Sequence, residues 1–107
     1  MRFKEGVSPD QLTKEGLWAA VVADRVHYTL TGTSAVITET NGSKHRVPNS
    51  AHYRGDAVDI RIWYTDGENS TDEFVEAMQD ELGEHYDVIL EKDHIHVEWD
   101  PIYKGDS

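Results

Sequence analysis

The sequence predicts an α+β domain: a small, mainly antiparallel sheet with two helices on one face and a cluster of metal-ligand side chains on the other. Three observations predict it. Two segments carry apolar residues at helical period, residues 57–63 alternate apolar with polar, and the stretch 86–99 alternates in a way that pairs it with itself as a hairpin. The 107 residues are expected to form a single domain, 1–107, with one modest core and room for one site.

Ser8-Pro9-Asp10-Gln11 offers an N-cap, a proline at the first helical position and a capping-box partner; Leu17, Trp18, Val21, Val22 and Val26 follow at helical period. A helix is predicted over about 9–29, within which Gly16, costing on the order of 1 kcal/mol relative to alanine, marks close packing or a break. Ala35-Val36-Ile37-Thr38 reads as a short strand, and residues 41–50, rich in Asn, Gly, Ser and Pro, as the loop that leads to Ser50 and His52. In the next strand Val58, Ile60 and Ile62 share one face, whereas Ala57, Asp59, Arg61 and Trp63 share the other, so Asp59 points away from the core. After a polar loop over 64–70, Ser70-x-x-Glu73 resembles a capping box; Phe74, Met78 and Leu82 at helical spacing, stopped by Gly83, predict a helix over 71–82.

Pairing Tyr86–Glu91 with His94–Trp99 about Lys92-Asp93 sets Leu90 opposite Ile95, Val88 opposite Val97 and Tyr86 opposite Trp99, with all six on the core face. Glu91, His94, His96 and Glu98 then occupy the open face, where Asp59 meets His96 from a neighbouring strand. A slip of one residue would turn the histidines inward and the apolar residues outward. Lys-Asp is not a preferred two-residue hairpin turn, and a longer loop would change which acid lies nearest the histidines.

With 21 acidic residues against 10 basic ones the formal charge is −11, which opposes binding to nucleic acid or to anionic membranes. Cysteine is absent, so neither disulfides nor thiolate ligands are available. The opening residues lack the apolar run of a secretory signal, and no stretch approaches the roughly 20 apolar residues that span a membrane. The expectation is a soluble protein, cytoplasmic as synthesised.

The chemistry resides in Ser50-x-His52-x-x-Gly55-x-Ala57-x-Asp59 and Glu91-x-Asp93-His94-x-His96. His52, Asp59 and one histidine of the 94/96 pair form a set of two imidazoles and a carboxylate, which suits a borderline-soft divalent cation with one coordination position left open. A carboxylate for proton transfer is at hand in Glu91 or Asp93. Arg46 and Arg54 flank the first ligand and are candidates to hold a substrate carboxylate, and Trp63, Tyr64 and Trp99 to line a cleft; His27, His45 and His85 lack motif support and are expected at surface or packing positions.

His52-Tyr53-Arg54-Gly55-Asp56-Ala57-Val58-Asp59-Ile60 followed by His94-Ile95-His96 resembles the zinc D-alanyl-D-alanine carboxypeptidases and dipeptidases, the L-alanyl-D-glutamate endolysins of phages, and the hedgehog signalling domain that shares their fold. The resemblance covers residues 50–99, about half the chain. It implies one Zn2+ per chain held by His52, Asp59 and His96, with Asp93 or Glu91 as the catalytic acid/base and His94 as an oxyanion stabiliser or a hydrogen-bond donor near the ligands. Asp93 stands three residues before His96, as the acid does in the peptidases, whereas the hedgehog pattern with its acid further upstream favours Glu91. The implied function is hydrolysis of a short D-amino-acid-containing peptide, the peptidoglycan stem peptide, by a monomer of carboxypeptidase or endolysin type. Such an enzyme reaches the cell wall after release or as part of a phage. The arginine that the carboxypeptidases place upstream of the first histidine has no counterpart here. The alternative is a non-catalytic zinc-containing binding module of the hedgehog type.

Overall fold

The structure is a computed structural model that describes residues 1–40, 55–62 and 68–100. Its elements in chain order are β1 (Arg2–Phe3), a 3-10 turn (Pro9–Gln11), α1 (Lys14–Thr31), β2 (Val36–Glu39), β3 (Ala57–Arg61), α2 (Glu68–Leu82), β4 (Tyr86–Leu90) and β5 (His94–Trp99). The strands form one sheet in the order β1-β2-β3-β5-β4. Among the described strands only the β1/β2 pair is parallel; the other neighbours run antiparallel. The predicted α+β class is therefore the observed one, with β1 as an edge strand that the sequence pattern did not announce. Among the described residues, no helix is long and apolar enough to cross a membrane.

The first helix begins later than its sequence signals imply. Pro9 starts only a 3-10 turn, and Ser8 makes no capping bond to the backbone, its hydroxyl turning instead to Asp10. Thr13 is the true N-cap: its Oγ1 accepts the Gly16 amide at 3.2 Å. The same hydroxyl donates to Asp56 Oδ1 at 2.7 Å, while the Thr13 amide donates to Gly55 O at 3.0 Å. One residue thus starts the helix and clasps the chain at the entry to β3. Gly55 turns there with a φ of 82°, which a side chain would resist.

Gly16 marks close packing, since a Cβ on it would fall 2.2 Å from Gly55 O. The rest of α1 follows from this approach. It buries its small-residue side, Ala19, Ala20, Val22, Ala23 and Val26, and leaves Leu17, Trp18 and Val21 exposed. These small side chains and those of α2 meet Ile37, Val58, Ile60, Ile95 and Val97 from the sheet, with Phe74 and Met78 between. Each large side chain buried in this way contributes about 1.5–3 kcal/mol.

His27, expected at a surface or packing position, is wholly buried in α1, its ring edge-on to Phe74 and its Nδ1 2.7 Å from Thr33 O. Gln79 joins α2 to the hairpin: its amide donates to Tyr86 O at 2.6 Å and its carbonyl accepts the Val88 amide at 3.2 Å. Tyr86 then reaches across to donate its hydroxyl to Glu15 O at 3.0 Å. Burial, with the charges of Glu15 and Asp56 added, pushes that phenol up to about 12.

The hairpin register is the expected one, Tyr86 opposite Trp99, Val88 opposite Val97 and Leu90 opposite Ile95. One side chain departs from the expected core face. Leu90 stays 47% exposed because it ends the edge strand beside the turn, beyond the cover of the helices. No described non-glycine residue has a positive φ, so Lys92-Asp93 is not the left-handed turn that demands Asn-Gly, and the unfavoured dipeptide is accommodated. The Glu91 amide closes the turn on His94 O at 2.9 Å.

Candidate metal centre

Strand alternation delivers the site residues to the open face, and register places them in rows across it. Asp59 on β3 is paired with His96 on β5, which in turn faces Ile89 on β4; on one side of this row Arg61 pairs with His94, and on the other Ala57 pairs with Glu98, itself opposite Asp87. Asp59 also faces Glu39 on β2. The core face of the same strands is filled by Val58, Ile60, Ile95 and Val97, so a shift of register would bury these polar groups at a prohibitive cost.

Within the central row the contacts are short. His96 Nδ1 lies 2.9 Å from Asp59 Oδ1, and His96 Nε2 lies 2.8 Å from Glu98 Oε1. The second carboxylate oxygen of Asp59 is 3.5 Å from His94 Nε2, and His94 Nδ1 is 2.6 Å from Asp93 Oδ1. The result is a continuous chain, Asp93, His94, Asp59, His96, Glu98, in which imidazoles alternate with carboxylates. Its middle is sheltered and its Asp93 end open: the Asp59 and His96 side chains are 13% and 14% exposed, that of Asp93 84%.

Burial on its own would lower the basicity of His96. Hydrogen bonds to Asp59 and Glu98, reinforced by their charges, outweigh it and raise the imidazole to about 9. The hydrogen bond from His94 holds the Asp93 carboxyl below its usual range, so Asp93 is an ionised acceptor and His94 donates to it through Nδ1–H.

The donor chemistry fits a zinc-type ion. Asp59 Oδ1 and His96 Nδ1 are 2.9 Å apart, whereas two ligands on a tetrahedral zinc with bonds of about 2.0–2.1 Å stand about 3.3 Å apart. The described residues thus bring together one carboxylate oxygen and one imidazole nitrogen of the kinds that would hold a zinc-type ion. His52, the remaining ligand that the motif assigns, lies outside the described residues, as do Ser50, Arg46, Arg54, Trp63 and Tyr64.

Comparison of the chain with protein-family models, with curated proteins and with solved structures gave no significant match.

Of the residues expected beside the metal, Asp93, a candidate for proton transfer, and His94, expected as an oxyanion stabiliser or hydrogen-bond donor, are drawn together, whereas Glu91, the other candidate for proton transfer, is not. Asp93 touches His94, so it works on the row through that ring. Glu91 is exposed at the end of the hairpin, its backbone facing His94. Glu98 carried no role in the sequence analysis, although its position two residues beyond His96 on one strand face was the available signal. Asp87, Glu98 and Asp100 bring carboxylate oxygens within 4.8 Å of one another; this all-oxygen set lacks the nitrogen donors that zinc favours. Trp99 packs against the core rather than standing free in the cleft.

Proposed function

We propose that this chain is a zinc-dependent peptidase that hydrolyses a short peptide containing D-amino acids, with the peptidoglycan stem peptide as the substrate implied by the motif resemblance. The observation that carries the proposal is the meeting of Asp59 and His96 on adjacent strands, 2.9 Å apart, beside a His94 already held by a carboxylate. When bound by His52, Asp59 and His96, zinc supplies Lewis-acid polarisation of the scissile carbonyl and a nucleophile at neutral pH.

The protein's own groups manage the proton. Asp93 holds His94 through Nδ1 at 2.6 Å and so directs its Nε2 to the Asp59 side of the ring, 3.5 Å from Oδ2. That nitrogen takes a proton from the attacking water and returns it to the leaving amine, a role of about 10²–10⁴-fold in rate. Glu91 is the competing acceptor, and separate substitutions decide between them. Arg61, paired with His94, lines an open recess on the same sheet with Arg2, Lys4 and one acid, Glu5. These cations in an otherwise acidic molecule suit a substrate that carries a carboxylate. Made in the cytoplasm, such an enzyme meets its substrate after release or as part of a phage.

The test is metal content of protein purified without chelator, together with mass-spectrometric detection of fragments released from purified muropeptides by wild type and by His96→Ala. About one zinc per chain with cleavage by wild type alone is the expected result. Bound zinc without cleavage of any stem peptide would replace the peptidase with a non-catalytic module of the hedgehog type, and absence of metal would remove both.

A further inference from the structure

We propose that Glu98 is the positioning residue of this centre: its carboxylate holds the His96 ring so that Nδ1, and not Nε2, is the nitrogen offered beside Asp59 to the metal. This role presupposes the metal reading of the site given above and adds to it a residue that the ligand motif does not contain.

The two nitrogens of His96 face two different carboxylates, Asp59 Oδ1 at 2.9 Å from Nδ1 and Glu98 Oε1 at 2.8 Å from Nε2. Asp59 stands on the Nδ1 side of the ring and Glu98 on the Nε2 side, so the ring orientation that keeps Glu98 in contact is the one that sets Nδ1 beside the Asp59 oxygen. A carboxylate on the far nitrogen of a metal-bound histidine fixes that ring in this way.

The strand geometry prevents Glu98 from drifting. His96 and Glu98 project from the same face of β5, a strand flanked on both sides, with Asp59 and Ala57 opposite them on β3, and Ile89 and Asp87 opposite them on β4. Asp87 and Asp100, whose oxygens gather with that of Glu98 within 4.8 Å, add negative charge around the acceptor and strengthen its hold on Nε2–H. Partners of this kind fix the tautomer and orientation of a metal-bound histidine and typically contribute about 10–100-fold in metal affinity. Without Glu98 the ring turns over or adopts its other tautomer, and affinity is lost although every ligand remains.

Zinc affinity measured by competition with a chromophoric chelator for wild type, Glu98→Gln and Glu98→Ala tests this, alongside long-range ¹H–¹⁵N correlation spectra of the histidine rings in each zinc-loaded protein. Wild type should show His96 metallated at Nδ1 with its proton on Nε2. Glu98→Ala should bind zinc about 10–100-fold more weakly, and Glu98→Gln, which keeps an oxygen acceptor at the same reach, should recover most of the loss and the wild-type ring pattern. A Glu98→Ala protein with unchanged affinity and tautomer, or a wild-type ring metallated at Nε2, would overturn the role of Glu98 alone. Wild-type protein that takes up no zinc would overturn the metal reading and this role with it, whereas zinc-binding protein that cleaves nothing leaves the role of Glu98 standing.

Discussion

His96 makes the metal-free protein sensitive to pH in a direction that its contacts determine. Its imidazole is raised to about 9 in the folded state, against about 6.5 for an unfolded histidine. The protonated ring is therefore favoured by folding, and its contribution is fully present below about pH 6.5 and lost as pH rises to about 9. The ceiling on this contribution is on the order of 3 kcal/mol. Urea midpoints of the metal-free chain should fall across that window, and His96→Gln should flatten the fall. At the neighbouring ring, the proposed peptidase reading makes Asp93 and His94 one unit in proton transfer. Asp93→Ala and His94→Ala should each lower kcat by about 10²–10⁴-fold, and the double variant should lose little more than either single one. Additive losses, or a larger loss in Glu91→Ala, would transfer the role to Glu91.

The entry of α1 and the start of β3 are one structural unit, held by Thr13 and by the contact of Gly16 with Gly55. Alanine at position 16 would gain about 1 kcal/mol of helix propensity, yet its Cβ would meet backbone oxygen at 2.2 Å, which has no flexible end to move aside. Overpacking of this kind costs about 1–3 kcal/mol, so Gly16→Ala is expected to lower the denaturant midpoint. Because the displaced atoms lie four residues before Asp59, zinc affinity should fall as well. A midpoint that rises, as propensity alone predicts, would show that the contact relaxes freely.

At the scale of the whole molecule, the described strands form one sheet. It carries helices on its core face and the Asp59–His96 row on the other, so an ion bound as proposed would join the neighbouring strands β3 and β5 directly. A ligand that binds only the folded state stabilises by about 2.7 kcal/mol at a hundredfold excess over its Kd. In a domain of this size that corresponds to about 10–20 °C in Tm. Chelation should lower Tm by this amount and zinc should restore it, while calcium, better suited to the all-oxygen set of Asp87, Glu98 and Asp100, should not. A Tm indifferent to chelator would count against a metal bridging the two strands.

Alternation and apolar pairing, both local properties of the sequence, determined the α+β class, the faces of β3 and β5 and the hairpin register. Asp59, His94 and His96 were legible because Val58, Ile60, Ile95 and Val97 leave them one side to occupy. Tertiary contacts decided the rest. The helix starts at Thr13 rather than Ser8 because Asp56 and Gly55 reward that residue from a distant part of the chain. Leu90 is exposed because core cover ends before the hairpin does. Asp93 meets His94 because side-chain direction in three dimensions sets which acid a ring nitrogen reaches, whereas Glu98 meets His96 at the two-residue spacing of one strand face.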